Sequence, residues 1–160
     1  IFNKKENADK IIKAYEDGVS KAKKESSQFS PARVAVLRAT GKSVTAETPK
    51  AICASMVEQL HMENVLLNHK DVTLDTKTVP YSLEQLSSDN PEIIFVVTMG
   101  KDKDISKKMD EQMRDNPAWS NLDAVKNGRV YFLPSDLFLL NPGIRTPEAM
   151  NKLLDLAYRQ

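Results

Sequence analysis

Three short apolar runs separated by stretches of helical periodicity predict an α/β domain, a parallel-sheet lobe with helices on both faces. The runs cover residues 33–37, 93–97 and 129–133. The middle one, Ile93-Ile94-Phe95-Val96-Val97, is apolar at every position, as a central strand covered on both faces must be. At 160 residues, with 41% hydrophobic and 28% charged side chains, the chain is long enough to bury one core.

In chain order, Ile11, Ile12, Tyr15, Val19 and Ala22 follow the i, i+3, i+4 spacing of an amphipathic helix, with Lys and Glu on its other face. A polar connector over 26–31 leads into the β-branched run 33–37, the first strand. Residues 38–47 read as a loop. Thr48-Pro49 then reads as a helix start, Thr as N-cap and Pro in the first turn, with Ile52, Met56 and Leu60 sharing a face. Weak alternation over 72–78 suggests a short edge strand. Ser82-Leu83-Glu84-Gln85 is a capping box that opens a short helix ending before Asn90-Pro91. After the central strand, Ile105, Met109 and Met113 mark a helix. Another, starting at Asn116-Pro117 and carrying Trp119, Leu122 and Val125, stops at Asn127-Gly128. The third strand follows, and the last helix takes Thr146 as N-cap, with Met150, Leu153, Leu154 and Ala157 in one stripe.

Composition excludes several functions. With 23 Lys and Arg against 22 Asp and Glu the net charge is +1, so no general field draws the chain to nucleic acid or another polyanion. The longest apolar runs, 93–97 and 137–140, fall far short of the roughly 18–20 residues that cross a bilayer. A single Cys53 permits neither an internal disulfide nor a cysteine zinc cluster, and reads as a small core residue. The opening Ile1-Phe2-Asn3-Lys4-Lys5 lacks an initiator Met and runs straight into helical pattern, which points to a piece of a longer protein.

Few constellations suggest chemistry. Gly41-Lys42-Ser43 follows a strand like the end of a phosphate loop, and a free-standing nucleotide-binding or enzyme domain using it is the alternative reading. The first Gly of that signature is replaced by Val36, however, and no helix begins directly after the Ser. His61 and His69 flank Glu63 without metal-ligand spacing, and no Gly-x-Ser-x-Gly elbow occurs. The chain reads as a non-enzyme with no resident metal or cofactor. Ligands of open α/β sheets bind at the carboxyl edge of the strands. There the loops offer Arg38, Lys42, Met99, Lys101, Phe138 and Arg145, a local basic patch suited to an anionic ligand. Tyr81 and Trp119 are possible contacts whose more ordinary fate is burial.

The order of several stretches resembles the C-terminal lobe of the substrate-binding proteins of iron-siderophore, haem and cobalamin ABC transporters. These stretches are the opening segment with Ile11 and Tyr15, Glu63-Asn64-Val65, the block from Ser82 through Asn90-Pro91-Glu92 to Val96, and above all the run from Pro117-Ala118-Trp119 to Gly128-Arg129-Val130-Tyr131, continued to Asn141-Pro142-Gly143 and Arg145. The glycines usual in that family before Glu63 are replaced here by His61 and Met62. The resemblance implies the helical-backbone class of binding proteins. Residues 1–27 would be the end of the helix joining two lobes and 28–160 the C-terminal lobe, with the N-terminal lobe absent from this chain. It implies a receptor outside the cytoplasmic membrane, held at the membrane by an N-terminal anchor outside this chain or by its permease, and the chain itself reads as a monomer. It would pass a ferric siderophore, haem or cobalamin to the ABC permease subunits. Glu84 aligns with the acidic residue that meets a permease arginine. The basic candidates lean toward an anionic ferric siderophore.

Overall fold

The structure is a computed structural model that describes residues 2–99, 104, 107, 109, 111, 113 and 116–159, with side chains from residue 4 onward. A long helix α1 (Phe2–Ser26) is followed by strands β1 (Arg33–Ala39) and β2 (Val44–Glu47), helix α2 (Ile52–Gln59), and strands β3 (Glu63–Asn64) and β4 (Thr78–Val79). Helix α3 (Leu83–Asp89) and strand β5 (Ile93–Thr98) come next. The single-turn helices α4 (Pro117–Ser120) and α5 (Asp123–Lys126), strand β6 (Val130–Leu133), helix α6 (Ser135–Phe138) and helix α7 (Thr146–Tyr158) complete the chain.

The sheet runs β4-β2-β1-β5-β6, with β3 also on β1. Strands β3, β1, β5 and β6 are parallel, in the register Val34 to Ile93 and Ile94 to Val130. Alternation along these strands sends side chains to two cores. Val34, Val36, Ile93, Phe95, Val97 and Leu133 face α1, α2, α6 and α7, packing on Val57, Phe138, Met150 and Leu154. Ala35, Leu37, Ile94 and Val96 face the other way, onto Leu66, Leu86, Met109, Trp119 and Leu122. Every residue of β5 is buried, which accounts for its unbroken apolar run. Each large side chain so buried contributes about 1.5–3 kcal/mol.

Several elements depart from expectation. Residues 38–47 are a β-hairpin rather than a loop. Arg38 and Ala39 end β1 and pair antiparallel with Thr45 and Val44 of β2, whose Ala46 and Glu47 are buried. Strand β4 extends this antiparallel flank through Ala46 and Val79. Helix α2 begins later than Thr48-Pro49, with Ala51 in the N-cap position. The Thr48 hydroxyl instead donates to the Thr76 carbonyl, fastening the 75–77 turn. At α7 the Thr146 hydroxyl donates back to Gly143 rather than capping, and Arg145 holds the N-cap position. The stretch 117–126 breaks into α4 and α5 at Leu122, whose side chain is buried.

The capping box at Ser82 forms in full, with Gln85 returning its side chain to the Ser82 amide. Met109 is buried, whereas Ile105 lies outside the described residues. The second half of α1 packs into the core through Val19 and Ala22, and the Ser26 hydroxyl donates to the Leu60 carbonyl. Ile11 and Ile12, on the same stripe, stay about half exposed at 49% and 54%. Asn90 ends α3 in the left-handed conformation, and His61 adopts it after α2 with φ 55°.

Candidate functional site

The carboxyl ends of the parallel strands meet in register: Ala39 pairs with Thr98, and Val97 with Leu133. The Met99 amide donates to the Ala39 carbonyl at 2.9 Å, tying the loop after β5 to the end of β1. Its thioether side chain is left open, at 55% exposure. Lys101 lies outside the described residues.

The Thr40-Gly41-Lys42-Ser43 segment is the turn of the β1–β2 hairpin. Its Lys42 and Ser43 amides both donate to Thr40 Oγ1, at 3.2 and 3.0 Å, and the Thr40 amide donates to the Ser43 carbonyl. Amides spent inside the turn cannot cradle a phosphate, and a strand rather than a helix follows. The turn leaves Lys42 exposed at its tip.

The two arginines of the expected basic patch are already neutralised. Arg38 donates through Nε and Nη2 to Glu47 Oε1, at 2.9 and 2.6 Å, with the Glu47 side chain fully buried. Burial pushes the Glu47 carboxyl up, against the pull of Arg38 and of the Ala54 amide. The same burial, with Glu47 nearby, pushes the Cys53 thiol up and leaves it an inert core group. Arg145 is clamped between Glu148, which takes its Nε and Nη2, and Asp136, which takes Nη1, all at 2.8 Å. The clamp raises the Arg145 guanidinium further and holds Glu148 below its usual range.

Phe138 lines no open surface in this structure. Its ring is fully buried among the side chains that join α6 to α7 and β5, because α6 folds back onto the sheet directly after β6. Trp119 is buried in the opposite core.

Among the described residues, exposed apolar side chains gather near the end of this sheet. Leu140 and Ile144, in the segment after β6 and α6, are 63% and 70% exposed. Ile11, Ile12 and Tyr15 of α1 join Asn141, Gly143, Ile144 and Thr146 around a groove of about 370 Å³. Sequence reasoning missed Tyr15, Leu140, Ile144 and Glu47 as site residues. The exposed half of an amphipathic stripe cannot be told from its buried half by spacing, and Glu47 stood in a presumed loop.

A second region surrounds α3. Glu84 stands exposed in its first turn, where the backbone amides and Ser82 hold its carboxyl below the usual range. Beside it a groove of about 480 Å³ is lined by His69, Val72, Thr76, Val79 and Gln85, among others. His69 Nε2 lies 2.7 Å from Asp89 Oδ2, which also accepts the Tyr81 hydroxyl, while His61 and Glu63 stay exposed. Burial and Asp89 push the Tyr81 phenol up. Among the described residues no cluster of His, Cys, Asp and Glu could hold a metal ion, and no helix is long and apolar enough to cross a membrane.

The described chain is thus a mixed sheet with helices on both faces and a long leading helix, its parallel strands meeting in register at their carboxyl ends. Residues 1–137 match the periplasmic binding protein family, and the chain belongs to it. The high-affinity heme uptake system protein IsdE of Staphylococcus aureus (strain MRSA252) is 27% identical over 127 residues, 79% of this chain and 42% of that protein. Among solved structures, an ABC transporter substrate-binding protein from Listeria monocytogenes EGD-e superposes with TM-score 0.79 at 28% identity, over 97% of this chain and 58% of that one. S. aureus IsdE complexed with heme superposes with TM-score 0.80 at 24% identity, over 98% of this chain and 59% of that one, a likeness of fold. The chain spans less than half the length of the curated relative it matches.

Proposed function

We propose that this chain is the C-terminal lobe of the binding component of an ABC importer, receiving a haem-type iron macrocycle. Residues 1–27 would be the end of the helix from an N-terminal lobe and 28–160 the lobe itself. The observation that carries the ligand class is the chemistry of the edge: exposed Met99, Leu140 and Ile144 stand where both arginines are already paired with carboxylates. Apolar side chains with few polar groups suit a large planar ligand of low charge, whereas a highly anionic siderophore needs free cations. This moves the reading from the anionic chelate that the basic residues alone suggest to a macrocycle. The name of the haem-uptake relative supports the same choice.

In this reading Met99 offers a soft thioether or an apolar contact to the macrocycle, and Lys42 and Lys101 offer charge to its peripheral carboxylates. Arg38 and Arg145 hold their loops in place through their carboxylate partners. Glu84 meets a cation of the permease, since an exposed carboxylate at a helix start is free for a charge-assisted contact. Function at the outer side of the cytoplasmic membrane, as a monomer handing its ligand to the permease, completes the proposal.

The test is an absorbance titration of this chain, and of the longer protein carrying it, with haem, cobalamin, ferric citrate and ferric catecholate. Saturable haem binding by the longer protein, weakened by Met99→Ala and much weaker in this chain alone, is expected, because one lobe buries only half the ligand. Preferential binding of a ferric catecholate would refute the ligand class. Binding of none of the four would refute the importer reading.

A further inference from the structure

We infer that Glu47 is a specificity-determining residue of the ligand edge, cancelling the charge of Arg38 and thereby setting this end of the sheet for a ligand of low charge. The inference rests on the proposed reading and names the group that selects among its ligands. Arg38 is the penultimate residue of β1, paired across the sheet with Val97 and Thr45. The next residue, Ala39, holds the Met99 amide through its carbonyl, so the guanidinium is carried one position from the ligand edge.

The pairing is lopsided. An arginine and a carboxylate that meet fork to fork use both oxygens. Here Nε and Nη2 share Oε1, and the buried Oε2 is left without a full hydrogen bond, the Ala54 amide adding only a weaker pull on the carboxyl. The Arg38 side chain keeps 16% of its surface exposed and that of Glu47 none. Stability does not explain such an arrangement. A buried ion pair is often no better for folding than an apolar pair of the same size, and a buried oxygen without a full hydrogen bond weakens it further. What the pair does achieve is electrostatic. An uncancelled Arg38 at the rim of a low-dielectric lobe would draw anions, and Glu47 turns that charge into a short dipole.

Glu47 is also the fixed partner. Its backbone carbonyl accepts the Asn64 side-chain amide, and its strand is held between β1 and β4. The clamp on Arg145 by Asp136 and Glu148 applies the same rule at the other end of the edge, with exposed groups.

The experiment compares the affinities of haem and of ferric citrate, the anionic probe, in the longer protein carrying this chain. Glu47→Gln keeps the shape of the side chain and removes its charge. The expected result is a rise of about tenfold in ferric citrate affinity relative to haem, the size of one uncancelled charge near the surface. The double variant Arg38→Gln with Glu47→Gln is neutral again and should return to the parent ratio. General loosening of the fold would weaken both ligands together and leave the ratio alone.

If haem binds and Glu47→Gln leaves the ratio unmoved, the inference is overturned while the importer reading stands. A raised ratio that persists in the double variant also overturns it, since Arg38 would not be the source. Should Glu47→Gln fail to fold, the double variant still decides. An unchanged ratio supports prior cancellation, and a tenfold loss of ferric citrate shows that Arg38 had been uncancelled. If the parent binds neither ligand, the importer reading falls and this inference falls with it.

Discussion

Gly18 is where α1 meets α7, and replacing it by Ala tests how the long helix is seated. A Cβ built there would lie 2.7 Å from Pro147 Cβ and 2.9 Å from Pro147 Cγ, closer than side-chain carbons approach one another. The obstacle is a ring locked into the first turn of α7, so it cannot swing aside as a long side chain would. Helix propensity alone favours Ala over Gly by about 1 kcal/mol in a helix interior. Overpacking a contact of this kind costs about 1–3 kcal/mol, because the two helices must part along their shared face. The balance is a net destabilisation of about 1 kcal/mol for Gly18→Ala and more for Gly18→Val. At this chain length 1 kcal/mol corresponds to roughly 2–4 °C in Tm. Urea denaturation followed by circular dichroism measures it, with Gly41→Ala as control because no atom approaches that position. A Gly18→Ala protein about 1 kcal/mol more stable than the parent would refute the reasoning, since propensity would then act unopposed.

Phe138→Ala should cost about 3–5 kcal/mol of stability as a core truncation. Phe138→Leu should leave haem affinity within about threefold, and a tenfold loss in a well-folded Leu variant would make the ring a ligand contact after all. His61→Gly should stabilise the chain by roughly 0.5–1 kcal/mol in chemical denaturation, since φ 55° strains a side chain and suits glycine. Ser82→Ala should cost about 1 kcal/mol by removing one half of the capping box, measured the same way. Glu148 titrates below its ordinary 4.5 in the folded chain because Arg145 holds it charged. The unfolded state therefore binds the proton more tightly, and the stability from this pair, present above the unfolded value, is lost as pH falls below about 4.5. Glu148→Gln should flatten that acid limb in denaturation curves recorded between pH 3 and 7, and high salt should shrink the difference.

The α/β class, the three parallel strands and the positions of α3 and α7 were legible in the sequence because each is a local pattern. The unbroken apolar run 93–97 needs no partner to be recognised as a buried strand, and Ser82 with Gln85 writes a helix start within a single turn. Cys53 and Trp119 went to the core as their residue types suggest. What spacing cannot express is pairing between residues brought together by the fold. The hairpin over 38–47 was hidden because Arg38, Lys42 and Glu47 look like loop charges until β2 turns back on β1 and buries Glu47 against Arg38. The same holds for Arg145, whose pairing with Glu148 and Asp136 no local spacing announces. Phe138 looked free beside a strand end, and only the return of α6 onto the sheet makes it core. Local sequence thus determined which segments are strand and helix, because hydrogen bonding and side-chain period act within a few residues. Tertiary structure alone decided which charges and apolar groups remain to meet a ligand, because neutralisation and burial depend on neighbours far away in the chain.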